Sequence, residues 1–461
     1  MSRLVVISNR VAVPKARGAA GAQGGLAGAL LAALKPQEGL WVGWSGNEND
    51  NPPSAPHIQT NDGVTTATID LHPQDVEEYY NGYANSTLWP LFHYRIDLTE
   101  YSRETGKGYE RVNDLFANAA APLIEPDDLV WVHDYHFIPL GERLRNQGLK
   151  NKLGFFLHIP WPPTRLLVSL PYHERLVRAL LKYDLIGFQC TEWLESFLHY
   201  CVKELGAQVD ERTGEITIEG RTTTARSYPI GIDYEHFMEE GRSREAGQAE
   251  QRIIASTRDR TAMIGVDRLD YSKGLPERLE GLARLFERYP ERVRDLVFIQ
   301  IAPPSREDIG SYQRIRETLE QKTGEINGAY SQIDLVPIRY VNRGHSTAEL
   351  FGIYRASKVG FVTPLRDGMN LVAKEYIAAQ DPDDPGVLIL SRFAGAAQQL
   401  TEALLVNPHS PDELESAIRT ALEMPLAERK TRWNKLSECV RNENISSWTA
   451  SFLGDLRDAN L

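Results

Sequence analysis

The sequence predicts an α/β protein with two doubly wound, Rossmann-like parallel sheets. Ten apolar runs, four in the first half of the 461 residues and six in the second, alternate with segments of helical spacing. Continuous rather than alternating apolar runs are typical of parallel strands buried on both faces. Repeated strand–helix units form doubly wound sheets, and one open sheet rarely holds so many strands. We therefore expect two sheets, each in its own domain.

The predicted strands form two series. They cover residues 4–8, 128–134, 153–159 and 184–188 in the first series, and 261–266, 296–302, 333–341, 358–364, 386–391 and 403–407 in the second. The polar stretch EEGRSREAGQAEQR (239–252) lies between the series and predicts domains over residues 1–240 and 241–445. A last helix, over 446–461, is expected to cross back to the first domain. Two facing domains of this kind would form a cleft at the carboxyl ends of both sets of strands.

The composition argues against several classes of protein. It is 42% hydrophobic and 25% charged, as in globular proteins. The net charge of −12 disfavours nucleic acid or a membrane surface as a partner, so any anion must be bound by a local basic cluster. No apolar run approaches the ~20 residues that span a bilayer, and no signal-peptide pattern is visible. We expect a cytoplasmic protein. Its three cysteines are too few for a disulfide framework or a zinc site.

One basic cluster follows the predicted strand 261–266. In VDRLDYSKGLPERL (266–279), Arg268 and Lys273 lie at a strand end, and Gly274 comes directly before a predicted helix. Both cations can point at one ligand there, and the helix N-terminus adds positive potential, which suits a phosphate. The alternative is a surface ion pair with a neighbouring carboxylate, that of Asp267, Asp270 or Glu277. The strand–glycine–helix context favours the phosphate site.

A second cluster, TPLRDGMNLVAKEY (363–376), also leads from a strand through a turn into a helix. Asp367 in the turn would accept hydrogen bonds from sugar hydroxyls. Backbone amides from Gly368 to Leu371 would face an oxygen-rich ligand. Glu375, further along the helix, would reach a ribose diol. The alternative is a solvated helix start, which explains each residue singly but not the whole pattern.

The first half carries many aromatic residues and histidines. They lie in GLWVGWSG (39–46), EYYNGYANSTLWP (78–90), HDYH (133–136) and HIPWP (157–161). Rings with interleaved polar groups suit the faces of sugars, although any single tryptophan is more often a core residue. His133 and His136 lack the carboxylate partner of a zinc site, so a metal is disfavoured.

Glycines 21, 24, 25 and 28 do not fit the dinucleotide pattern G-x-G-x-x-G, and they lie well beyond the first strand. A nicotinamide site is therefore disfavoured. A flexible loop that covers a ligand through its glycine pair is the remaining role.

The chain resembles the trehalose-6-phosphate synthase family, retaining glycosyltransferases of GT-B architecture with two facing Rossmann-like domains. The motifs that carry the resemblance are VDRLDYSKGLPERL, DGMNLVAKEY, HDYHFIPL, YYNGYANSTLWPLFHY and LHIPWP. It covers essentially the whole chain, and it implies an active site in the interdomain cleft.

The resemblance implies a donor site in the second domain. Arg268 and Lys273 would hold the donor diphosphate and stabilise the departing nucleotide, Asp367 would bind glucose hydroxyls, and Glu375 would bind the ribose. His158 would lie at the donor glucose and is implied as catalytic. The other implied donor positions are Gly24, Gly25, His345, Gly368, Met369, Asn370, Leu371, Val372, Ala373 and Lys374.

The resemblance also implies an acceptor site for glucose 6-phosphate. Its residues would be Arg10, Trp41, Tyr80, Trp89, Asp134 and Arg306. The two arginines suit the phosphate because a dianion requires two cations. Asp134 would act in catalysis as well.

The implied reaction moves glucose from a nucleoside diphosphate to the anomeric hydroxyl of glucose 6-phosphate, with retention. UDP-glucose is the usual donor, and ADP- or GDP-glucose stays open because the family varies at VNRGH (341–345). A retaining hydrolase presents two carboxylates, and here only Asp134 is evident, which fits a same-face substitution. No metal or other cofactor is implied. A homo-oligomer, dimer or tetramer, and a separate downstream phosphatase are expected.

The chain also departs from the family pattern: Trp161 stands where the family often has phenylalanine, and the first glycine loop is longer. Two other functions stay open, a pseudo-glycosyltransferase that couples cyclitols and a catalytically silent sugar-phosphate sensor. The complete acceptor set argues against the first, and the complete donor set against the second.

Overall fold

Residues 2–11, 25–306 and 309–459 are described by the computed structural model of the chain. They divide into two units. The first contains the described residues up to 229 together with those from 446 onward, and the second contains the described residues between 230 and 445. Each unit has its own sheet.

The first unit is built on a ten-stranded sheet in the order β3-β4-β2-β1-β5-β6-β7-β10-β9-β8. Its strands are β1 (Leu4–Arg10), β2 (Leu40–Glu48), β3 (His57–Asn61), β4 (Val64–Leu71), β5 (Leu129–His133), β6 (Lys152–Phe156), β7 (Leu185–Phe188), β8 (Gln208–Asp210), β9 (Glu215–Ile218) and β10 (Arg221–Ser227). The seven strands from β4 to β10 in this order pair in parallel, and the outer pairings are antiparallel. The chain turns from one side of the sheet to the other between β1 and β5.

Helices connect these strands. They are α1 (Gly25–Leu34), α2 (Pro73–Asp75), α3 (Trp89–Phe92), α4 (Arg103–Ala120), α5 (Leu140–Asn146), α6 (Thr164–Leu167), α7 (His173–Leu180) and α8 (Thr191–Leu205). Between α2 and α3 the chain forms a π-helix over Val76–Leu88.

The second unit has a six-stranded sheet in the order β13-β12-β11-β14-β15-β16. Its strands are β11 (Thr261–Val266), β12 (Leu296–Ile301), β13 (Ile338–Val341), β14 (Val359–Val362), β15 (Val387–Ser391) and β16 (Leu404–Val406). All pairings are parallel. This is the dinucleotide-fold order, in which the chain reverses direction across the sheet between its first and fourth strands, here β11 and β14.

The helices of the second unit cover both faces of its sheet by the same strand–helix alternation. They are α9 (Tyr234–Glu240), α10 (Arg244–Thr257), α11 (Leu275–Arg288), α12 (Gly310–Tyr330), α13 (Thr347–Ala356), α14 (Leu371–Ala379), α15 (Pro411–Glu423) and α16 (Leu426–Asn442). The inward face of α11 buries Leu279, Leu282, Leu285 and Phe286 at 1% exposure or less. The predicted α/β fold with two Rossmann-like sheets is confirmed.

The stretch 239–252 lies within the second unit rather than at its edge, and the units divide between residues 229 and 230. The stretch is polar because it forms the end of α9 and the solvent face of α10. The other face of α10 packs closely on α13, since a Cβ on Gly352 would lie 2.1 Å from the Ala246 carbonyl oxygen. Because the buried face of α10 is formed by small residues, the stretch has few large apolar residues, and its sequence is similar to that of a linker between domains.

The last helix, α17 (Ile445–Asp458), belongs to the first unit from residue 446 onward. The rings of Trp448 and Phe452 lie 4.7 and 4.6 Å from that of Trp131 in β5. Gly154 in β6 leaves room for this contact, because a Cβ there would lie 2.7 Å from the Phe452 ring. Within the described ranges, no helix combines the length and apolarity needed to cross a membrane.

Candidate active site

Two predicted motifs flank the reversal point of the second unit's sheet. The loop after β11 carries Lys273 and the loop after β14 carries Asp367, and these strands are parallel neighbours. The Nζ of Lys273 donates to Oδ2 of Asp367 at 2.5 Å, and both side chains are largely buried. The lysine therefore pairs with the distant aspartate and not with the nearby acids that the surface alternative invoked.

Gly274 allows the two loops to approach. It has a φ of +65°, and a Cβ at this position would lie 2.3 Å from the Thr363 carbonyl oxygen. The N–H of Leu365 also donates to the carbonyl of Ser272 at 2.8 Å. Only glycine fits this conformation and this spacing.

Arg268, the other cation of the first motif, is exposed at the end of β11. Arg278, which sequence reasoning missed, is fully buried and donates to Asp267 Oδ2 at 2.5 Å. A signal was available, because Arg278 lies three residues after Leu275 and four before Leu282, on the apolar stripe of α11.

The turn from Asp367 to Asn370 is tightly organised. Asn370 has a φ of +83°, its Nδ2 donates to Asp367 Oδ2 at 3.0 Å, and its Oδ1 caps the N–H of Ala373. The N–H of Ala396 donates to the Met369 carbonyl, and Gly368 is buried in the same turn. The first N–H groups of an α-helix such as α14 have no intrahelical partners, which suits an anion.

The two charged residues inside α14 differ in their surroundings. Glu375 is half-buried, and it accepts a hydrogen bond from Tyr354 Oη at 3.4 Å. The burial of its carboxyl group raises the pKa of Glu375 to about 7. Lys374 is fully buried, with its Nζ 2.7 Å from both the Ile230 carbonyl oxygen and Gln399 Oε1. Burial lowers the pKa of Lys374 to about 8. Leu371 and Val372 are half-buried, and Ala373 is buried.

Two further predicted residues lie in the loops that follow β12 and β13. Arg306, with a φ of +51°, donates to Tyr312 Oη and lies 3.8 Å from Asp270 Oδ2. His345 comes just before α13, and its Nδ1 lies 2.7 Å from Glu349 Oε2. Both side chains are about 8% exposed, so each is held in place by its partners.

In the first unit, Arg10 lies at the end of β1, directly beside β2. Its guanidinium carbon is 4.4 Å from the centre of the Trp44 ring. Tyr80 meets the same ring edge-on at 5.5 Å. Trp41 is instead only 1% exposed, and its Nε1 donates to Ser8 Oγ at 2.8 Å. The tryptophan in contact with Arg10 is thus Trp44, which sequence reasoning did not single out.

Tyr80 lies on the π-helix, a rare conformation that often marks functional positions. The preceding Tyr79 donates from its Oη to Asn9 Oδ1 at 2.8 Å, which ties the π-helix to the end of β1. Trp89, the first residue of α3, is buried at 5% exposure with its ring 5.7 Å from that of Tyr135.

Asp134 and His158 follow the adjacent strands β5 and β6. Asp134 has a φ of +76°, and its Oδ1 accepts the backbone N–H of His158 at 3.2 Å. Backbone strain of this kind in a non-glycine residue concentrates at functional sites. Arg10, Asp134 and His158 thus lie at the carboxyl ends of three neighbouring parallel strands, at the reversal point of the sheet.

The ring of His158 is held on both sides. Its Nδ1 accepts from Gln189 Nε2 at 3.2 Å, so its Nε2 carries the proton and donates to His133 Nδ1 at 3.0 Å. Burial lowers the pKa of His158 to about 3 and that of His133 well below its usual value. Both rings are therefore neutral at pH 7.

The glycine pair predicted to cover a ligand is described only in part. Gly24 lies outside the described residues, and Gly25 is the first residue of α1. Among the residues that the structure describes, no group of three or more His, Cys, Asp or Glu side chains is arranged to hold a metal ion.

A sequence profile of glycosyltransferase family 20 matches residues 2–458. The chain belongs to this family. A relative from Sinorhizobium fredii, named trehalose-6-phosphate synthase, is 47% identical over 458 residues, which are 99% of this chain and 98% of that one. One of the same name from Cronobacter sakazakii is 46% identical, over 99% and 95% of the two chains.

Solved structures support the same assignment for this family 20 glycosyltransferase. A UDP-forming α,α-trehalose-phosphate synthase from Burkholderia xenovorans, in complex with glucose-6-phosphate, matches with a TM-score of 0.95 and 45% identity over 99% and 100% of the two chains. The enzyme from E. coli bound with UDP-2-fluoro glucose matches with a TM-score of 0.93 and 43% identity, over 99% of each chain. The predicted GT-B fold and glycosyltransferase class are confirmed.

Proposed function

We propose that this family 20 glycosyltransferase moves glucose, with retention, from UDP-glucose to the anomeric hydroxyl of glucose 6-phosphate. The products would be α,α-trehalose 6-phosphate and UDP. The pairing of Lys273 with Asp367 carries the proposal, because it brings the proposed phosphate-binding cation and the proposed sugar-binding acid together at the carboxyl end of two neighbouring strands. The two relatives solved with glucose-6-phosphate and with a UDP-sugar analogue support it.

The donor side follows from the loops after β11 and β14. Lys273 and the exposed Arg268 are proposed to neutralise the donor diphosphate, and the first amides of α14 are proposed to donate hydrogen bonds to it. Asp367 is proposed to accept hydroxyl protons of the transferred glucose, and Glu375 those of the ribose. His345 is proposed to meet the base, with UDP preferred over ADP or GDP.

The acceptor side is proposed to lie around Arg10. The Arg10 guanidinium and the Tyr80 ring both contact the Trp44 ring, which places a cation beside two aromatic rings, groups that suit a sugar phosphate. Arg306 is proposed as the second cation for the phosphate. Trp89 and Trp41 would support the residues that contact the acceptor rather than contact it themselves, because both are buried.

In the proposed step, the bond from the anomeric carbon to the diphosphate oxygen breaks, and its electron pair stays on that oxygen. The acceptor oxygen bonds to the same carbon on the same face, and its proton passes to the departing phosphate oxygen. Charge that develops on the leaving group would be stabilised by Arg268 and Lys273, which we propose as the largest catalytic contribution.

Asp134 and His158 are proposed to act at the reacting carbon. Asp134 is held by the His158 N–H, so its carboxylate is fixed in place and would counter positive charge on an oxocarbenium-like transition state. His158 would stay neutral because of its low pKa, so it would add no opposing positive charge. Two side-chain cations are proposed to take the part of a metal ion, and the enzyme to act as a homo-oligomer ahead of a separate phosphatase.

The experiment that tests the proposal is incubation of the protein with glucose 6-phosphate and, separately, UDP-, ADP- and GDP-glucose. Product mass and the anomeric proton couplings should show a non-reducing α,α-linked disaccharide phosphate, formed fastest from UDP-glucose. Binding of both substrates without turnover would instead indicate a sensor. Turnover only with cyclitol acceptors would indicate a pseudo-glycosyltransferase. Either result overturns the proposal.

A further inference from the structure

We infer that Arg278 is a positioning residue for Lys273: it holds the lysine's peptide so that the ammonium stays at the diphosphate position. The inference rests on the proposed function, because it assigns a role in donor binding to a residue that touches no substrate. The side chain of Arg278 is 0% exposed, so it acts only through its protein partners.

The guanidinium of Arg278 makes four hydrogen bonds. Nη2 donates to the Lys273 carbonyl at 3.1 Å, and Nε donates to Thr363 Oγ1 at 2.9 Å. Nη1 donates to Asp267 Oδ2 at 2.5 Å and to Gln300 Oε1 at 3.2 Å. One planar group thus joins the ends of β11, β12 and β14 to the loop that carries Lys273.

The cavity for this group is built from the sheet. Gly265, in β11, leaves the room, because a Cβ there would lie 2.9 Å from Arg278 Nη1 and 2.7 Å from Gln300 Oε1. Gln300 is also fixed, since its Nε2 donates to the Gly265 carbonyl at 3.1 Å. The buried arginine therefore has a prepared site.

The charge of Asp267 explains why the site requires a cation. Burial raises the pKa of Asp267, and the nearby Arg278 and Lys273 oppose that rise. A buried carboxylate left without its partner is strongly unfavourable, so Asp267 and Arg278 stabilise each other in place. Stability alone, however, does not require the hydrogen bond from Arg278 to the Lys273 carbonyl.

The hydrogen bond from Arg278 to the Lys273 carbonyl links the buried network to the proposed donor site. Arg278 Nη2 donates to the carbonyl of the peptide that follows Lys273, and Gly274 lies so close to the Thr363 carbonyl that a Cβ would be 2.3 Å from its oxygen. The ammonium is then directed at Asp367. Lysine could not replace Arg278 here, because a single ammonium lacks the planar fork that reaches all four acceptors.

Arg278→Lys tests the inference, with Gly265→Ala as a second variant that keeps the arginine but crowds it. Affinities for UDP, ADP and GDP would be measured by calorimetry, and kcat and KM with UDP-glucose, well below the melting temperature of each variant. We expect UDP affinity to fall about 10-fold and kcat about 10- to 100-fold, as for a displaced catalytic group. The KM for glucose 6-phosphate should stay unchanged.

The matched control is Arg145→Lys in the first unit. Arg145 also donates to two backbone carbonyls, those of Leu149 and Asn151, and to the buried Asp184. This variant should lose comparable thermal stability while UDP affinity and kcat stay the same. It separates loss of stability from loss of positioning.

The same substitution in a Lys273→Ala background decides whether Arg278 acts through Lys273. There, Arg278→Lys should lower UDP affinity by less than about 2-fold, because coupled residues are not additive. An equal loss in both backgrounds, or unchanged affinity and kcat in the single variants, would overturn the inference. Failure of the unaltered protein to bind UDP, ADP or GDP would instead overturn the proposed function on which it rests.

Discussion

The Nζ of Lys273 lies 2.5 Å from Oδ2 of Asp367, although 94 positions separate the two residues in the chain. Strand order is the reason, because β11 and β14 are neighbours at the point where the chain reverses across the sheet. A loop from each strand end then contributes one charge. The pairing joins the two motifs of the second unit into one candidate donor site.

Removal of either proposed diphosphate cation should abolish most of the turnover. Arg268→Ala and Lys273→Ala should each lower kcat at least ~100-fold, the usual cost of removing one electrostatic contact to a developing anion. Arg268→Ala should keep its melting temperature, because the residue is exposed. Arg284→Ala, an exposed arginine on α11, is the control and should retain full activity. Near-normal kcat in folded Arg268→Ala would contradict the assignment.

A methyl group at Gly274 should damage both stability and activity. Gly274→Ala places a Cβ 2.3 Å from the Thr363 carbonyl and forces a φ of +65° on alanine. We expect the free energy of unfolding to fall by at least about 1–3 kcal/mol, with loss of UDP binding. Gly247→Ala in α10 is the control, since a Cβ there would meet no described atom within 4 Å beyond its own helix backbone and chain neighbours, and it should be neutral or slightly stabilising. Equal stability of the two variants would argue against the close loop approach.

The buried histidine pair should make the protein sensitive to acid. Because burial lowers the pKa of His133 and of His158 in the folded state, the unfolded chain binds more protons below pH ~6.5. Stability from this source is complete above pH ~6.5 and falls as the pH falls toward 3, by up to about 1.4 kcal/mol per pH unit for each histidine. The free energy of unfolding, measured with urea, should depend less steeply on pH between 7 and 5 in His133→Asn than in the unaltered protein. The exposed His57→Asn should keep the pH dependence of the unaltered protein. The same pH dependence of the unfolding free energy in both variants and in the unaltered protein would rule out the buried histidine pair as its cause.

Donor affinity should depend on pH through Glu375. Burial raises its pKa to about 7, so the carboxylate is ionised above that pH and protonated below it. An ionised carboxylate accepts two hydroxyl hydrogen bonds, and a protonated one has less acceptor capacity. UDP-glucose affinity should therefore fall as the pH is lowered from 8 to 6. Calorimetry on Glu375→Gln should give weaker binding without this pH dependence, and the same dependence in both proteins would exclude Glu375 as its source.

Helix α17 should be essential for the first unit. Trp448 lies 4.7 Å from Trp131 and 6.0 Å from His158, measured between ring centres. Trp448→Ala should lower the free energy of unfolding by about 3–5 kcal/mol, the usual cost of truncating a buried tryptophan. Ser451→Ala, on the exposed side of the same helix, should change it by less than about 0.5 kcal/mol. A small effect of Trp448→Ala would mean that α17 docks only loosely.

Continuous apolar runs predicted the central strands well. Strand β11 covers the predicted residues 261–266, and β12 differs from its prediction by one residue. Six strands of the first unit were not predicted: β2, β3, β4, β8, β9 and β10. Strands β3 and β8 are short and largely exposed and lack an apolar run. The start of β2 is buried, but it lies in the stretch 39–46, which was interpreted by its aromatic residues rather than as a strand. Strand β13 begins only at Ile338, since the start of the predicted run contains Ile333, which is fully exposed.

The motifs located the candidate site, but they did not indicate which way the side chains point. Lys374 was predicted beside the nucleotide, yet its ammonium is occupied by the Ile230 carbonyl. Trp41 was predicted at the acceptor, whereas the tryptophan that contacts Arg10 is Trp44. These roles at the substrates stay proposals, and the direction of each side chain depends on packing that sequence spacing does not contain.

The sequence by itself determined the two doubly wound sheets, the loops of the candidate donor site and the need for glycine beside Lys273. Apolar runs and strand–glycine–helix patterns lie within short stretches of the chain, so they can be recognised from the sequence without knowledge of the fold. Only the tertiary structure decided that Lys273 pairs with Asp367 and that Arg278 lies buried behind it. Such pairs form across neighbouring strands, and the order of strands in a sheet is set by the packing of the whole unit.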